Sequence, residues 1–287
     1  MTLFMEETYF RDQVAAVTGA GGTLCSEIAE DLASRGAKVA LIGRTEEKLR
    51  AVADRIGTTG GTCMICPGDV TDETAMAAIE AEIFRKWGAC RFLVNGAGGN
   101  NIRAMTENSA FGPSDISGEP MGKSYGFFDL DMTAFHDVLR INTLGTVIAC
   151  RVFGRRMAQA GKGAILNFAS MNSYRPLSRV PAYAMSKAAV VNFTQWLAAY
   201  LAPAGIRVNA VAPGFFVNER SRKYLCAPDG GLSARGENVM HHTPMGKFGV
   251  ARDLTGCVRW LLDDRNASFV TGITVPVDGG FLSSTGI

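Results

Sequence analysis

Short apolar runs alternate along this chain with longer stretches in which apolar residues recur every three to four positions. Runs with the strand signature are Val14–Thr18, Val39–Ile42, Thr62–Cys66, Arg91–Asn95, Gly163–Ser170, Arg207–Ala212 and Ile273–Val277; each is short and rich in β-branched or small apolar side chains. Helical patterns fall between them at Leu24–Arg35, Glu46–Ile56, Thr74–Trp87, Met132–Ala160, Ala182–Leu201 and Ala251–Leu262. The strand runs are almost continuously apolar, which marks strands covered on both faces. Strand–helix alternation of this kind predicts a parallel sheet.

Right-handed crossovers make that sheet doubly wound. The expected fold is α/β: a seven-stranded parallel sheet with helices on both faces, a Rossmann fold. No repeat, low-complexity segment or linker interrupts it, so residues 1–287 read as a single Rossmann-type domain. Two segments break the rhythm, an irregular insert at 102–128 and a loop at 215–249. Both follow strands and should emerge at the C-terminal edge of the sheet, where open α/β folds bind ligands. Long irregular segments there serve as functional lids or are disordered. The loop at 215–249 is the expected substrate loop.

Composition narrows the class of protein. With 47% hydrophobic and 20% charged residues, the chain has the balance of an ordinary globular protein. A net charge of +2 creates no strong field, which argues against nucleic acid or an anionic membrane surface as the main partner. Seven scattered cysteines do not form a secreted disulfide framework. Cys63 and Cys66 form a C-x-x-C, but on a strand they point to opposite faces, so no metal site is expected there. Met1 to Arg11 carries Glu6 and Glu7 and lacks the apolar run of a signal peptide. No stretch reaches the roughly 18 apolar residues of a membrane helix. A reduced, cytoplasmic enzyme acting on a small molecule is the expectation.

The first strand runs into Thr18-Gly19-Ala20-Gly21-Gly22-Thr23-Leu24 and then a helix. Glycines let the backbone approach a pyrophosphate, and a helix N-terminus offers free N–H groups. Gly19, Gly21, Gly22, Thr23 and Leu24 are therefore candidate cofactor residues. The second strand ends at Gly43-Arg44. An acidic residue there would bind the ribose 2′-hydroxyl of NAD, whereas an Arg accommodates the 2′-phosphate of NADP. NADP(H) is favoured on this ground and NAD(H) stays open; a solvated Arg44 stacked on adenine is the alternative. Asp69-Val70 ends the third strand, where a carboxylate can accept from the adenine amino group, or cap a helix as Thr71 or Asp72 also could. Asn95-Gly96-Ala97-Gly98 closes the fourth, and small residues there let an adenosine ribose lie against the backbone.

Tyr183 and Lys187 stand i, i+4 and share a helix face, just after Ser170 at a strand end. Reducing a carbonyl needs hydride on carbon and a proton on oxygen. A tyrosine of ordinary pKa, about 10, is a poor base near neutrality. A neighbouring lysine ammonium favours the phenolate, while Ser170 can orient the carbonyl oxygen. Asn142, inside the long helix, can expose a carbonyl to water and carry a proton relay behind Lys187. Pro213-Gly214 ends the sixth strand and can bend the chain over the nicotinamide, with backbone groups from Phe215 to Val217, Phe216 among them, holding the carboxamide.

Taken together these motifs resemble the short-chain dehydrogenase/reductase family over nearly the whole chain. The resemblance rests on Thr18-Gly19 and its following glycines, Asp69, Asn95-Gly96-Ala97-Gly98, Asn142, Ser170, Tyr183-Ala184-Met185-Ser186-Lys187, Pro213-Gly214 and Val277-Asp278-Gly279-Gly280. It implies Asn142, Ser170, Tyr183 and Lys187 as a catalytic tetrad, with Tyr183 and Lys187 also touching cofactor, and commonly a homotetramer. The family pattern T-G-x-x-x-G-x-G would place glycines where this chain has Thr23 and Cys25. A narrower resemblance, to the D-mannonate oxidoreductase (fructuronate reductase) branch, lies in the segments 170–177, 192–198, 212–216, 242–249 and 276–281, in Leu24-Cys25 and in Gly96-Ala97-Gly98-Gly99-Asn100. It implies reversible reduction of D-fructuronate to D-mannonate. Such an acid needs an Arg fork and amide donors; Asn100, Asn172, Arg175 and His242 are the candidates. The alternatives are a reductase of another polyol, keto acid or 3-oxoacyl substrate, and a non-catalytic NAD(P)-sensing protein. The intact Ser170, Tyr183 and Lys187 argue against the sensor.

Overall fold

A computed structural model describes residues 9–116, 126–217 and 219–284. Residues 1–8 and the 117–125 portion of the insert lie outside the described residues. Among the described residues, seven strands form one parallel sheet: β1 (Val14–Thr18), β2 (Lys38–Gly43), β3 (Thr62–Pro67), β4 (Phe92–Asn95), β5 (Gly163–Phe168), β6 (Ile206–Pro213) and β7 (Thr274–Val277). Their order is β3-β2-β1-β4-β5-β6-β7, with every neighbouring pair parallel. The expected doubly wound Rossmann sheet is thus the observed one. The order of strand succession reverses between β1 and β4, and that switch point opens a crevice at the strands' C-terminal ends.

Alternation along each strand sorts the core into two faces. Ala15, Val17, Val39 and Leu41 pack with Ile28 and Leu32 of α1 (Thr23–Ser34), Leu49 and Val52 of α2 (Glu46–Thr58), and Val258 and Leu261 near the C-terminus. Ala16, Ala40 and Ile42 face the other way, against Met76 and Ile79 of α3 (Glu73–Trp87) and against Phe153, Met157 and Leu197. Each of the large side chains removes roughly 1.5–3 kcal/mol worth of apolar surface from water. Cys63 packs on the first face and Cys66 on the second, so the C-x-x-C is split by the sheet.

The long helix expected over Met132–Ala160 is three pieces. α4 (Met132–Leu139) runs into a π-helical turn (Arg140–Leu144), which runs into α5 (Gly145–Gln159). The wider turn has local causes. Asn142 Nδ2 donates to the Val138 carbonyl at 2.9 Å, and Gly145 lies so close to Val70 that a Cβ on it would stand 2.6 Å from Val70 Cγ2. Such π turns tend to sit at functional sites. β5 also stops two residues short of the expected Ser170, because a 3₁₀ turn (Met171–Ser173) begins there; Ser173 Oγ accepts the Ser170 N–H. α6 (Pro181–Leu201) starts at a proline, which needs no N–H partner in a first turn.

The loop at 215–249 is more regular than its sequence indicates. It holds α7 (Glu219–Leu225) and α8 (Ala234–His241), the latter capped by Ser233 accepting from Gly236 N–H at 3.0 Å. Helices this short carry too little periodicity to read and depend on tertiary support. Backbone bridges Cys226–Leu232 and Phe216–Gly249 supply it. The last helical pattern, 251–262, divides into a 3₁₀ turn (Ala251–Leu254) and α9 (Thr255–Leu262), followed by α10 (Asp264–Ala267). No helix of the described residues is long and apolar enough to cross a membrane.

At the opposite end of the sheet from the crevice, Asp264 sits between two arginines. Its Oδ1 accepts from Arg207 Nη2 at 2.8 Å, and its Oδ2 pairs with Arg91. Arg207 also donates to the Leu261 and Leu262 carbonyls, tying the C-terminal helices to β6. Both guanidiniums are buried. Removing the shared carboxylate leaves two buried cations facing each other. Asp264→Ala is therefore expected to cost about 3 kcal/mol or more, read as a lower urea midpoint at unchanged slope. A loss under about 0.5 kcal/mol would place this cluster among inconsequential surface pairs.

Candidate active site

A glycine-lined trough follows the ends of β1, β2, β3 and β4. Gly19 adopts φ +70°, and a Cβ there would stand 2.8 Å from the Ala97 backbone nitrogen. Only glycine meets both demands. Thr18 Oγ1 accepts from the Gly96 and Ala97 N–H groups at 3.1 and 3.2 Å, which locks the two turns together. α1 begins after Gly22 with no side-chain cap, so its first-turn amides remain available to an anion. Of the two departures from the family glycine pattern, Cys25 is accommodated: it is buried with its Sγ packed directly on Gly96, where any Cβ would overlap it. Burial pushes the Cys25 thiol up to about 12.

Arg44, Asp69 and Val70 line this trough as expected, and so do Lys48 and Ile141, which the sequence reading missed. Lys48 lies in the first turn of α2, four residues after Arg44, and a second basic residue that close to the end of β2 was its available signal. Burial works to raise the Asp69 carboxyl, but the Thr71 N–H and hydroxyl, with Arg44 and Arg140, outweigh it and hold the group below its ordinary value. Capping of α3 belongs to Asp72, whose Oδ1 accepts from Ala75 N–H. Asn95 turns away from the trough. Its Nδ2 donates to Asn167 Oδ1 at 2.9 Å, and Asn167 Nδ2 donates to Thr194 Oγ1 at 2.9 Å, a buried polar ladder beneath the site.

Gly96 and Gly98 also line a second hollow, which makes the trough continuous with a cleft bounded by Leu24, Asn142, Ser170, Tyr183, Lys187 and Gly214. Lys187 Nζ stands 5.7 Å from the Tyr183 ring centroid and donates to the Phe168 carbonyl at 2.6 Å. Ser173 Oγ donates to the Lys187 carbonyl at 2.7 Å, joining the Ser170 turn to α6. Asn142 is fully buried. Its Oδ1 accepts from Gly99 N–H at 3.0 Å and its Nδ2 donates to Gly99 O at 2.8 Å, while its own carbonyl accepts from Thr146 Oγ1 at 2.9 Å. Gly98 lies against Asn142 Oδ1 and leaves no room for a side chain. Burial raises the Tyr183 hydroxyl above its ordinary value, and a hydrogen bond from Ser170 works the other way. Burial lowers Lys187 to about 8.

Pro213 and Gly214 form the far wall, where Gly214 packs against Asp278 so tightly that a Cβ would stand 2.6 Å from its Cα. Phe216 is buried behind it. The four expected substrate residues are more dispersed. Asn172 is buried beside Ser170, with its Oδ1 accepting from Leu177 N–H at 2.9 Å. Asn100 is exposed and folds back on Asn101 N–H. Arg175 reaches the Ser284 carbonyl, and His242 Nδ1 lies 2.8 Å from the Asn238 carbonyl at the end of α8.

Similarity to known proteins extends along nearly the whole chain. The profile of the short chain dehydrogenase family matches residues 13–225. An uncharacterized oxidoreductase of Bacillus subtilis, UxuB, is 41% identical over 96% of this chain and 96% of its own. A galactitol 2-dehydrogenase (L-tagatose-forming) of Cereibacter sphaeroides is 33% identical over 93% of this chain and 94% of its own. Among solved structures, a Haemophilus influenzae protein provisionally assigned as a D-mannonate oxidoreductase, with bound NAD, superposes at a TM-score of 0.91. It is 35% identical and covers 99% of this chain and 100% of its own.

Lys187 makes a pH signature. Its folded value, about 8, lies below the 10.5 of an unperturbed lysine. Between those values the unfolded chain holds a proton that the folded chain has released, so this group makes stability rise with pH. Below pH 8 the buried charge costs its full amount. A Lys187→Met variant is expected to be the more stable at pH 7, with the gap closing by about 1 kcal/mol per pH unit from pH 8 upward. Urea midpoints of both proteins across pH 7 to 9.5 read this directly, since the buried cysteines, whose raised values act in the opposite sense above pH 9, are common to both. A gap independent of pH contradicts the assignment.

Proposed function

This chain belongs to the short-chain dehydrogenase family, and we propose that it interconverts a sugar-acid ketone and its alcohol, D-fructuronate and D-mannonate above others. As a family member it is an oxidoreductase that acts on alcohol groups with a nicotinamide cofactor. The observation that carries the proposed mechanism is the convergence of Tyr183, Lys187 and Ser170 on one cleft that continues into a glycine-lined trough.

The trough fits a dinucleotide. Gly19, Gly21 and Gly22 with the uncapped first turn of α1, at Thr23 and Leu24, would hold the pyrophosphate; Asp69 and Val70 the adenine; Ala97 and Gly98 the ribose; and Pro213, Gly214 and Phe216 the carboxamide. When bound, the nicotinamide supplies or accepts the hydride at the substrate carbon. Tyr183 then gives its proton to the carbonyl oxygen, or takes it from the alcohol. Because burial alone raises the Tyr183 hydroxyl, the phenolate needs positive charge nearby, and Lys187 supplies it when protonated. Ser170 hydrogen-bonds the reacting oxygen. Asn142 fixes Gly98 and Gly99 beneath the ribose, and its carbonyl would carry the water of a proton relay behind Lys187.

The D-mannonate reading is supported by the likeness to the provisionally assigned D-mannonate oxidoreductase along the whole chain. Galactitol 2-dehydrogenase as a relative favours a second reading, a polyol dehydrogenase. For the acid, Arg175 is the proposed carboxylate partner, with Asn100 and His242 as further polar contacts. NADP(H) is the proposed cofactor, because Gly43 brings no carboxylate and Arg44 and Lys48 line the trough together; the NAD bound in the solved neighbour is the opposing consideration. A homotetramer is supported by the stacked Phe193, Trp196 and Tyr200 rings on α6, the last two exposed. Seven free cysteines are in keeping with a cytoplasmic protein.

A panel of keto acids, ketoses and polyols assayed with NADPH and NADH tests these readings. D-Fructuronate is expected to exceed other keto acids at least tenfold in kcat/KM, and Tyr183→Phe to lower kcat by about 100-fold or more. Comparable turnover across the panel removes the D-mannonate assignment, and full activity in Tyr183→Phe removes the mechanism. Arg44→Ala is expected to lower kcat/KM about tenfold or more with NADPH and much less with NADH, the loss of a charge-assisted hydrogen bond to phosphate. Equal losses with the two cofactors would assign Arg44 to adenine stacking.

A further inference from the structure

Ser170 and Asn172 carry an inference about proton direction, one that rests on the proposed roles of Ser170 and Tyr183. The Ser170 hydroxyl oxygen accepts two hydrogen bonds from a single residue, from the Asn172 backbone N–H at 3.2 Å and from Asn172 Nδ2 at 3.4 Å. A hydroxyl has two acceptor lone pairs and one proton. With both lone pairs engaged, Ser170 has only its proton left to offer, and the open side of Ser170 is the cleft it shares with Tyr183.

The orientation of the Asn172 amide is not a free choice. Its Oδ1 accepts from the Leu177 N–H at 2.9 Å, a backbone donor that cannot reverse its role. The NH₂ end must therefore face Ser170. Ser170 and Asn172 are 5% and 6% exposed, which leaves little access for water to replace either bond. The Ser170 backbone is held as well, through Ser173 Oγ, which bonds in turn to the Lys187 carbonyl.

We propose that Asn172 is a positioning residue that fixes Ser170 as a hydrogen-bond donor toward the reacting oxygen. It does so without touching substrate, in place of the direct contact with the acid expected from the sequence. A serine free to rotate could turn its lone pairs toward a carbonyl oxygen and repel it. Asn172 removes that orientation. The same constraint aims the Ser170 proton at the Tyr183 oxygen when no substrate is present, in keeping with the Ser170 hydrogen bond that favours the Tyr183 phenolate.

Asn172→Asp is the test. One oxygen of the introduced carboxyl keeps the Leu177 bond and with it the loop; the other replaces a donor with an acceptor. Ser170 should then turn inward and donate to it. In a crystal structure of N172D the Ser170 Oγ to carboxylate distance should contract to about 2.6 Å. With the carbonyl compound of highest kcat/KM, kcat should fall about 100-fold, as for Ser170→Ala, and the double variant should lose no more than Ser170→Ala alone. Lowering the pH should restore N172D activity relative to the parent protein, because a protonated carboxyl donates as the amide did. Asn172→Leu, which removes the side-chain donor without reversing it, should lose less than about tenfold. A role confined to packing predicts the reverse, with Asn172→Leu the more damaging, and that ranking overturns the proposal. So does kcat within threefold of the parent in N172D, a multiplicative loss with Ser170→Ala, or an Oγ–O distance beyond 3.2 Å. Full activity in Ser170→Ala would instead end the reading of the site itself, while the crystal distance still decides the direction of the proton.

Discussion

A parallel sheet covered on both faces by helices can meet solvent only where its strands end. Every backbone N–H and C=O inside must find a partner in the sheet, so no polar cleft can open through its middle. All strands here run the same way, which gathers the ends of β1 to β6 along one edge. The glycine turn after β1, the Asn95–Gly98 turn after β4 and the Ser170 turn after β5 become neighbours for this reason, although they are far apart in sequence. The remaining requirement is to keep these turns from moving relative to one another. Thr18 does so between β1 and β4, and Asn142 does so between β4 and the helices that follow.

The cleft and the trough differ in how they manage charge. The trough offers backbone amides and two basic side chains, and it needs no titration to hold an anion. The cleft holds a buried lysine and a half-buried tyrosine whose values burial moves in opposite directions, lysine down and tyrosine up. Burial pushes each group toward its neutral form, although at about 8 the lysine still holds its proton at neutral pH. A positive cofactor ring and an oxyanion in the making both shift that balance, which couples the proposed proton transfer to occupancy of the site. The ladder from Asn95 through Asn167 to Thr194 lies below, its members nearly all paired, and holds the floor still.

Much of this was legible beforehand, for reasons particular residues make plain. Strands such as Val14–Thr18 are buried on both faces and therefore read as unbroken apolar runs; all seven were located, with ends off by no more than two residues. Tyr183 and Lys187 were legible because helical spacing turns i, i+4 into adjacency. What stayed hidden depends on contacts distant in sequence. The π turn at Arg140–Leu144 goes unannounced because Asn142 also reaches across to Gly99 and Gly145 packs against Val70, both distant in sequence. The helices α7 and α8 are too short to show a period, and their support comes from bridges at Cys226 and Gly249. Asn172 reads from the sequence as a candidate substrate contact because an amide just beyond Ser170 is a ready polar donor; its burial and its bond to the Leu177 N–H depend on the fold of the turn.

Cys25 stands where the family pattern has a glycine, and its sulfur fills the space over Gly96. Burial keeps it a thiol at neutral pH, so an alkylating reagent finds no nucleophile there while the fold is intact. To react, α1 must lift from the sheet, and that same movement would dismantle the proposed pyrophosphate cradle at Gly19 to Leu24. The chain therefore carries its own clock for local unfolding: the rate at which this one sulfur becomes reactive counts how often the glycine-lined end comes apart.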